Sequence, residues 1–330
     1  MGNVLVDESV LQNTADFIRS RLGITDKFKP GDFNERLNEV SKYNDSILDG
    51  TVTDYYNDKI TILDTMAFNY RSSLTSVNMQ NLRTIINNNS NFQGCESLTS
   101  VDMPMLMNIY SGYTFYNCTS LKSVNMKNLR IINNTFGYFF GNCTSLSHIS
   151  LPSLTYTDDN TFYFDTSLSS IDLPVLSSAG NSTFYNCTSL TSVTLPSLIE
   201  VKGSTFNNCE FLTNVALPVL TNINGGYTFN NCKSLTSVSI PLLTSISSAT
   251  NMFGKCSLLT DVLLGSSSIS TNISFSDSPS LSDASITNII NALADLTGST
   301  SRKLTLNSTT YAKLTSEQIA SITSKNWTVA

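Results

Sequence analysis

Seven cysteines, Cys95, Cys118, Cys143, Cys187, Cys209, Cys232 and Cys256, are the residues of this chain with the widest choice of chemistry. As thiolates they could pair, hold a metal or attack a carbonyl. Each closes the pattern F-x-x-C, from Phe92 to Cys95 through Phe253 to Cys256, and Asp165 takes the thiol's place after Phe162. An odd number in 330 residues fits a disulfide framework poorly. One cysteine per recurring unit predicts a row with a single inward direction. Neighbours in such a row would lie ~4.8 Å apart, so a disulfide is geometrically conceivable, but zinc needs clustered ligands that a straight row does not supply. The spacing therefore predicts buried free thiols acting as small hydrophobes, with no metal and no cofactor.

The other reactive groups are few. His148 is the single histidine, at an outward strand position between Leu146 and Ile149, with no triad-like signature around it. Asp158 and Asp159 are adjacent in a turn, which suits solvated turn residues better than the acid and nucleophile of glycoside cleavage. The N-C-T triplets at Asn117, Asn142 and Asn186 match a glycosylation pattern, yet they follow from the repeat itself. Gly225 and Gly226 make a turn without the setting of a phosphate cradle. No enzyme is expected. Aromatic residues are the better lead: Tyr116, Tyr163 and Tyr185 each follow a buried Phe and should turn outward, and Tyr113 and Tyr227 precede theirs by two. Exposed rings beside Ser, Thr and Asn suit repeated weak contacts with sugars or a protein face. The competing reading is that these rings only cover the coil beneath them.

What positions these residues is a repeat. Leu74, Leu98, Leu121, Leu146, Leu168, Leu190, Leu212, Leu235 and Leu259 recur at steps of 22 to 25 residues. That period marks a solenoid of the leucine-rich type, in which no unit can bury its own apolar face and each must stack on its neighbours. Within a unit, L-x-x-V-x-[LMI], as in Leu190, Val193 and Leu195, predicts a short strand with Ser192 and Thr194 outward. Proline follows the strand in six units, from Pro104 to Pro241, where a missing N–H turns the chain. An earlier coil is expected around Phe68 and Arg71, giving about nine coils and a stack of ~43 Å. The predicted class is an α/β repeat: a leucine-rich-repeat solenoid of stacked parallel short strands, with a small helical amino-terminal module and an α/β carboxy-terminal cap.

The expected domains are a helical docking module over residues 1–50, a linker and first partial coil over 51–72, the solenoid over 73–264 and a cap over 265–330. In the first, Val10, Leu11, Ile18 and Leu22, then Phe33, Leu37 and Val40, lie near helical spacing. In the last, "SDASITNIINALADLTG" predicts a helix capped at Ser282 and ended at Gly298, followed by a strand at "KLTLN", a helix near "TSEQIASI" and a strand at "NWTVA". Only 13% of residues are charged and the formal net charge is −6, from 19 basic and 25 acidic residues. Such a surface is a poor grip for nucleic acid or an anionic membrane, so neither is an expected partner. "MGNVLVDESV" lacks the basic and apolar regions of a signal peptide, and no run of about 18 apolar residues occurs, which predicts folding in a cytoplasm.

Units such as "FYNCTSLTSVTLPSL" resemble BspA-like leucine-rich repeats, found on bacterial surface proteins and in phage or prophage tail genes of gut and oral bacteria. The stretch "ADFIRSRLGITDKFKPGDFNERL" is similar to a short module common in tail-associated proteins of Firmicutes phages, through Ile18, Arg19, Gly23, Thr25, Pro30 and Phe33. The closing "LTSEQIASITSKNWTVA" is similar to the ending of such prophage genes, with Asn326 where Gly is frequent. Together the resemblances imply a non-catalytic component of a phage virion tail that binds a host cell-surface glycan or protein. Ile18, Arg19, Pro30 and Phe33 would dock onto other tail proteins, and Tyr113, Tyr116, Tyr163, Tyr185 and Tyr227 would face the receptor. A bacterial surface adhesin and a polysaccharide-degrading tail protein are the alternatives. A homo-oligomer stays open, since no heptad run points to one.

Overall fold

Parallel ladders of very short strands recur from Asp54–Tyr56 to Asp261–Leu264. The computed structural model describes residues 52–63, 68–86, 90–133, 136–266 and 268–330. The chain divides into two units, Met1–Leu48 and Asp49–Ala330, and the described residues belong to the second. The expected amino-terminal helices, with the docking residues Ile18, Arg19, Pro30 and Phe33, lie outside the described residues.

Each coil is built from two strands and a run of turns. Alternation sets the first strand: in Ser192–Thr194 only Val193 is buried, and it pairs in register with Val215 of the next coil. Leu195 is buried just beyond, and Pro196 then turns the chain where no further ladder N–H is needed. A second strand, which the sequence pattern did not predict, follows at Glu200–Lys202 with Val201 buried. Its counterparts form one nine-stranded parallel sheet from Ile62–Leu63 to Ser245–Ile246. The two or three residues per strand explain why sequence alternation was too brief to reveal it.

The remaining side of the coil carries the phenylalanine and the thiol. No helix occurs in the repeats among the described residues, so the coils themselves are all strand and turn, and the described helices lie in the carboxy-terminal segment. Instead the coils from Phe115 to Phe253 each turn through two residues in the left-handed region, such as Ser182 (φ 52°) and Asn186 (φ 61°) on either side of Phe184. Thr183 stabilises this corner by donating its hydroxyl to the Gly180 carbonyl at 2.9 Å.

Stacking joins the coils through the core. Ten phenylalanine rings, from Phe68 to Phe275, lie in one file with centroids 4.8 to 5.7 Å apart. The row thus includes the expected early coil at Phe68 and runs on to Phe275, inside the segment expected as cap. Each fully buried Phe or Leu contributes roughly 1.5–3 kcal/mol by leaving water, which only neighbouring coils make possible.

Beyond Phe275 the pattern changes to a parallel three-stranded sheet of Ile273–Phe275, Arg302–Leu306 and Trp327–Val329. Helix Asp283–Ala292 packs on the last coil through Ile286, Ile289 and Ile290, with Ser282 as N-cap. It ends well before Gly298, because Leu293 turns extended and bridges Ile269, and the Lys325 ammonium takes the Ile290 and Leu293 carbonyls. A short helix at Ser308–Tyr311, unforeseen in sequence, precedes helix Ser316–Ser324, whose Thr315 and Gln318 form a capping box. Trp327 is buried and donates to the Ala294 carbonyl at 2.9 Å, which fastens the last strand over the end of the stack.

Candidate functional site

The seven thiols are buried and unpaired, one per coil. Each donates to the carbonyl of the phenylalanine one coil back, at 2.8 Å for Cys95 to Phe68 and 3.2 Å for Cys187 to Phe162. Burial pushes Cys95 and Cys256 up to about 12 and holds the other five well above the ordinary thiol range, so the nucleophilic thiolate is absent at neutral pH. Among the described residues no group of three metal-binding side chains occurs. An alkylating reagent at neutral pH should therefore label none of the seven in the native state and all seven in denaturant. Mass spectrometry would read this directly, and fast native labelling of more than one would contradict the row.

The titratable groups singled out in sequence each bond to neighbours in their own or adjacent strands and turns. His148 bonds Ser170 through Nδ1 at 2.8 Å on the open strand face, while Asp172 accepts from Ser150 at 2.7 Å instead of orienting the imidazole. The pairing follows from strand register, which sets Ser170 beside His148 and Asp172 beside Ser150. Asp158 accepts the Asp159 backbone N–H, and Asp159 takes the backbone and side-chain N–H groups of Asn181 at 2.8 and 3.0 Å. Both are turn-forming carboxylates. The N-C-T asparagines occupy the left-handed corner, and there they build a ladder: Asn142 donates to Asn117 at 2.6 Å and Asn208 to Asn186 at 2.8 Å.

Beside that ladder lies an aromatic patch. Tyr113, Tyr116, Tyr163 and Tyr185 come together with two residues the sequence did not single out, Tyr138 and Phe164. Tyr113 stacks on Tyr138 at 5.3 Å and Tyr163 on Tyr185 at 5.0 Å, while Tyr116 stands edge-on to both Tyr113 and Tyr138. Tyr227, also expected at the surface, is exposed but among the described residues has no ring contact with the others. Gly141 makes room for the patch, since a Cβ there would meet the Tyr116 and Tyr138 rings at 3.2 and 3.3 Å. Among the described residues none of the five phenol hydroxyls has a hydrogen-bond partner. Burial, followed by neighbouring tyrosines, raises Tyr138 and Tyr163 above the usual phenol range, so both remain neutral donors. The signal that could have found Tyr138 is its place two residues before Phe140, the same as that of Tyr113.

Two segments, 61–188 and 177–305, match the profile of the BspA type leucine rich repeat region. They run over more than half of the 330 residues. The chain belongs to this family. It is also similar to a Treponema pallidum leucine-rich repeat protein, at 23% identity over 56% of this chain and 78% of that one, with a TM-score of 0.39. A Bacteroides ovatus leucine-rich repeat protein is 18% identical over 85% and 84%, with a TM-score of 0.35. A Faecalibacterium prausnitzii leucine rich cell surface protein is 16% identical over 82% and 90%, also at 0.35. No curated protein matches the chain.

Set beside its sister BspA-type coils, the patch departs from their pattern in a costly way. Tyr113, Tyr138 and Phe164 have φ of 52°, 60° and 63°; most equivalent coils place Asn or Ser there, although Tyr227 and Tyr70 are also left-handed, at 60° and 56°. A large side chain in this region costs about 1 kcal/mol relative to a relaxed backbone. The coil at Phe162 reads "FYFDT" where the coil at Phe184 reads "FYNCT". Phe164 interrupts the asparagine ladder, and Asp165 interrupts the thiol row.

Proposed function

We propose that this BspA-type chain is a non-catalytic attachment protein whose solenoid offers a recognition surface to a receptor on another cell, a glycan or a protein. The aromatic patch carries the reading: unpaired phenol hydroxyls and half-buried rings gathered on one surface, three of them, Tyr113, Tyr138 and Phe164, at backbone positions that disfavour a large side chain. Protein binding hot spots are enriched in tyrosine for its large contact area and small loss of rotamer freedom.

Two settings are supported by different features. The likeness of residues 15–37 to phage tail modules favours a virion tail, with Ile18, Arg19, Pro30 and Phe33 docking onto another tail protein. Membership of the BspA-type family favours a bacterial surface adhesin built on the same solenoid. Removing residues 1–50 distinguishes them. In the tail setting the truncated chain keeps cell binding and is lost from purified virions, and its retention there contradicts a docking role. Incubation with cell-wall polysaccharide should release no oligosaccharide, and release would overturn the non-catalytic assignment.

A further inference from the structure

Resting on the attachment reading, we infer that Tyr113, Tyr116, Tyr138, Tyr163, Phe164 and Tyr185 form one docking site for an uncharged protein surface. A sugar ring is held chiefly by stacking on an aromatic face. Here one face of each ring in two pairs is already covered within the patch, Tyr113 against Tyr138 at 9° and Tyr163 against Tyr185 at 13°, and Phe164 lies at 28° to Tyr185, so fewer faces are open to a sugar than separate rings would offer. The rings retain their edges and hydroxyls for a partner. Ring edges carry the positive part of the quadrupole, and a phenol both donates and accepts, so the complement is a surface of carbonyls, amides and other aromatic faces. A protein offers all three.

Charge points the same way. No Asp, Glu, Lys or Arg occurs in 112–118, 137–143, 160–164 or 182–187, the segments that carry the patch. The nearest charges, Glu96, which accepts from Asn117 at 3.2 Å, and Asp159, which pairs with Lys202, stand at the border of the patch, and a centre rich in Tyr and Phe with charge kept to the rim is characteristic of a protein interface. The surrounding Asn, Ser and Thr supply the polar rim of such an interface. The rings are also preorganised. They pack on one another over Gly141, and left-handed backbone fixes three of them, so little side-chain freedom remains to be lost on binding.

The repeat supplies the variants for a test. Tyr138→Asn copies Asn160 of the next coil, Phe164→Asn copies Asn142 and Asn186, and Tyr227→Ser, outside the patch, copies Ser204. Binding of the full chain and of each variant would be measured on intact Firmicutes cells and on cultured epithelial cells. The cells would be untreated, digested with protease, or oxidised with periodate. The expected result is at least a tenfold loss of binding for the Tyr138→Asn/Phe164→Asn double variant with Tm unchanged or raised, and wild-type binding for Tyr227→Ser. Binding should vanish after protease and survive periodate. Loss after periodate alone would make the partner a glycan and overturn the inference while sparing the attachment reading. A double variant that binds normally and melts earlier would show that the rings only cover the coil. Failure of the wild-type chain to bind either cell type would defeat the attachment reading itself.

Discussion

Replacing Phe184 by alanine is expected to destabilise the solenoid by about 3–5 kcal/mol, the usual range for removing a fully buried ring that leaves a cavity. Phe184 has no exposed surface and lies between Phe162 at 5.3 Å and Phe206 at 5.4 Å, with interplanar angles of 7° and 4°. The gap cannot be closed by neighbours, because backbone ladders on the two strand sides hold the coil spacing. A solenoid's stability is a sum over nearest-neighbour interfaces, and this substitution damages two of them at once. Urea denaturation would measure the loss. A broadened or two-step transition would fit the physical picture, since halves of the stack can then unfold separately, whereas a loss below about 1 kcal/mol would contradict a continuous ring file.

Asp165→Cys is expected to do the opposite. Asp165 is fully buried in the thiol row, where Oδ1 accepts the Cys143 backbone N–H at 2.7 Å and Oδ2 is left without a partner. An unsatisfied buried polar atom costs about 1–3 kcal/mol. A thiol there would donate to the Phe140 carbonyl, as Cys187 does to that of Phe162. Burial holds the Asp165 carboxyl well above its ordinary range, against a weaker opposing effect of the Cys143 N–H. The sign of the pH dependence follows. Since the folded value exceeds the unfolded one of ~3.9, the native state keeps a proton that the unfolded chain has lost. Stability from this group therefore falls as pH rises from about 4 toward the folded value, by about 1.4 kcal/mol per unit.

Asp54, Glu210, Asp295 and Glu317 are shifted downward, chiefly by hydrogen bonds, and act in the reverse sense on acidification. The difference between Asp165→Cys and wild type cancels their contribution. It should be smallest near pH 4 and widen as pH rises above that value, which thermal or urea melts at several pH values would follow. A difference that stays constant with pH would mean that Asp165 ionises in the fold with the same ease as in the unfolded chain.

Stacked coils were legible in sequence because burial in a solenoid is periodic along the chain. Leu190, Val193, Leu195, Phe184 and Cys187 recur at fixed offsets, and each offset maps to one inward direction. Free, buried thiols followed from that periodicity, as did the caps at Ser282 and Thr315, whose signals are local. The second strand at Glu200–Lys202 was not legible, since three residues carry too little alternation and its existence depends on hydrogen bonds to residues 22 positions away. The same applies to the end of helix Asp283–Ala292, which the Ile269 bridge determines and not Gly298.

The candidate site divides along the same line. Sequence marked Tyr113, Tyr116, Tyr163 and Tyr185 as outward rings, because each has a fixed offset from a buried phenylalanine. Their gathering around Tyr138 and Phe164, and the separation of Tyr227, came only from tertiary structure. Residues 25 apart in sequence become neighbours through coil stacking, and whether adjacent coils both place a ring at the corner is a property of the pair and not of either coil. Period and inward direction are written in each unit, so sequence alone determined the solenoid. Lateral contacts between units, which decide where a surface becomes aromatic, uncharged and strained, exist only once the stack has formed.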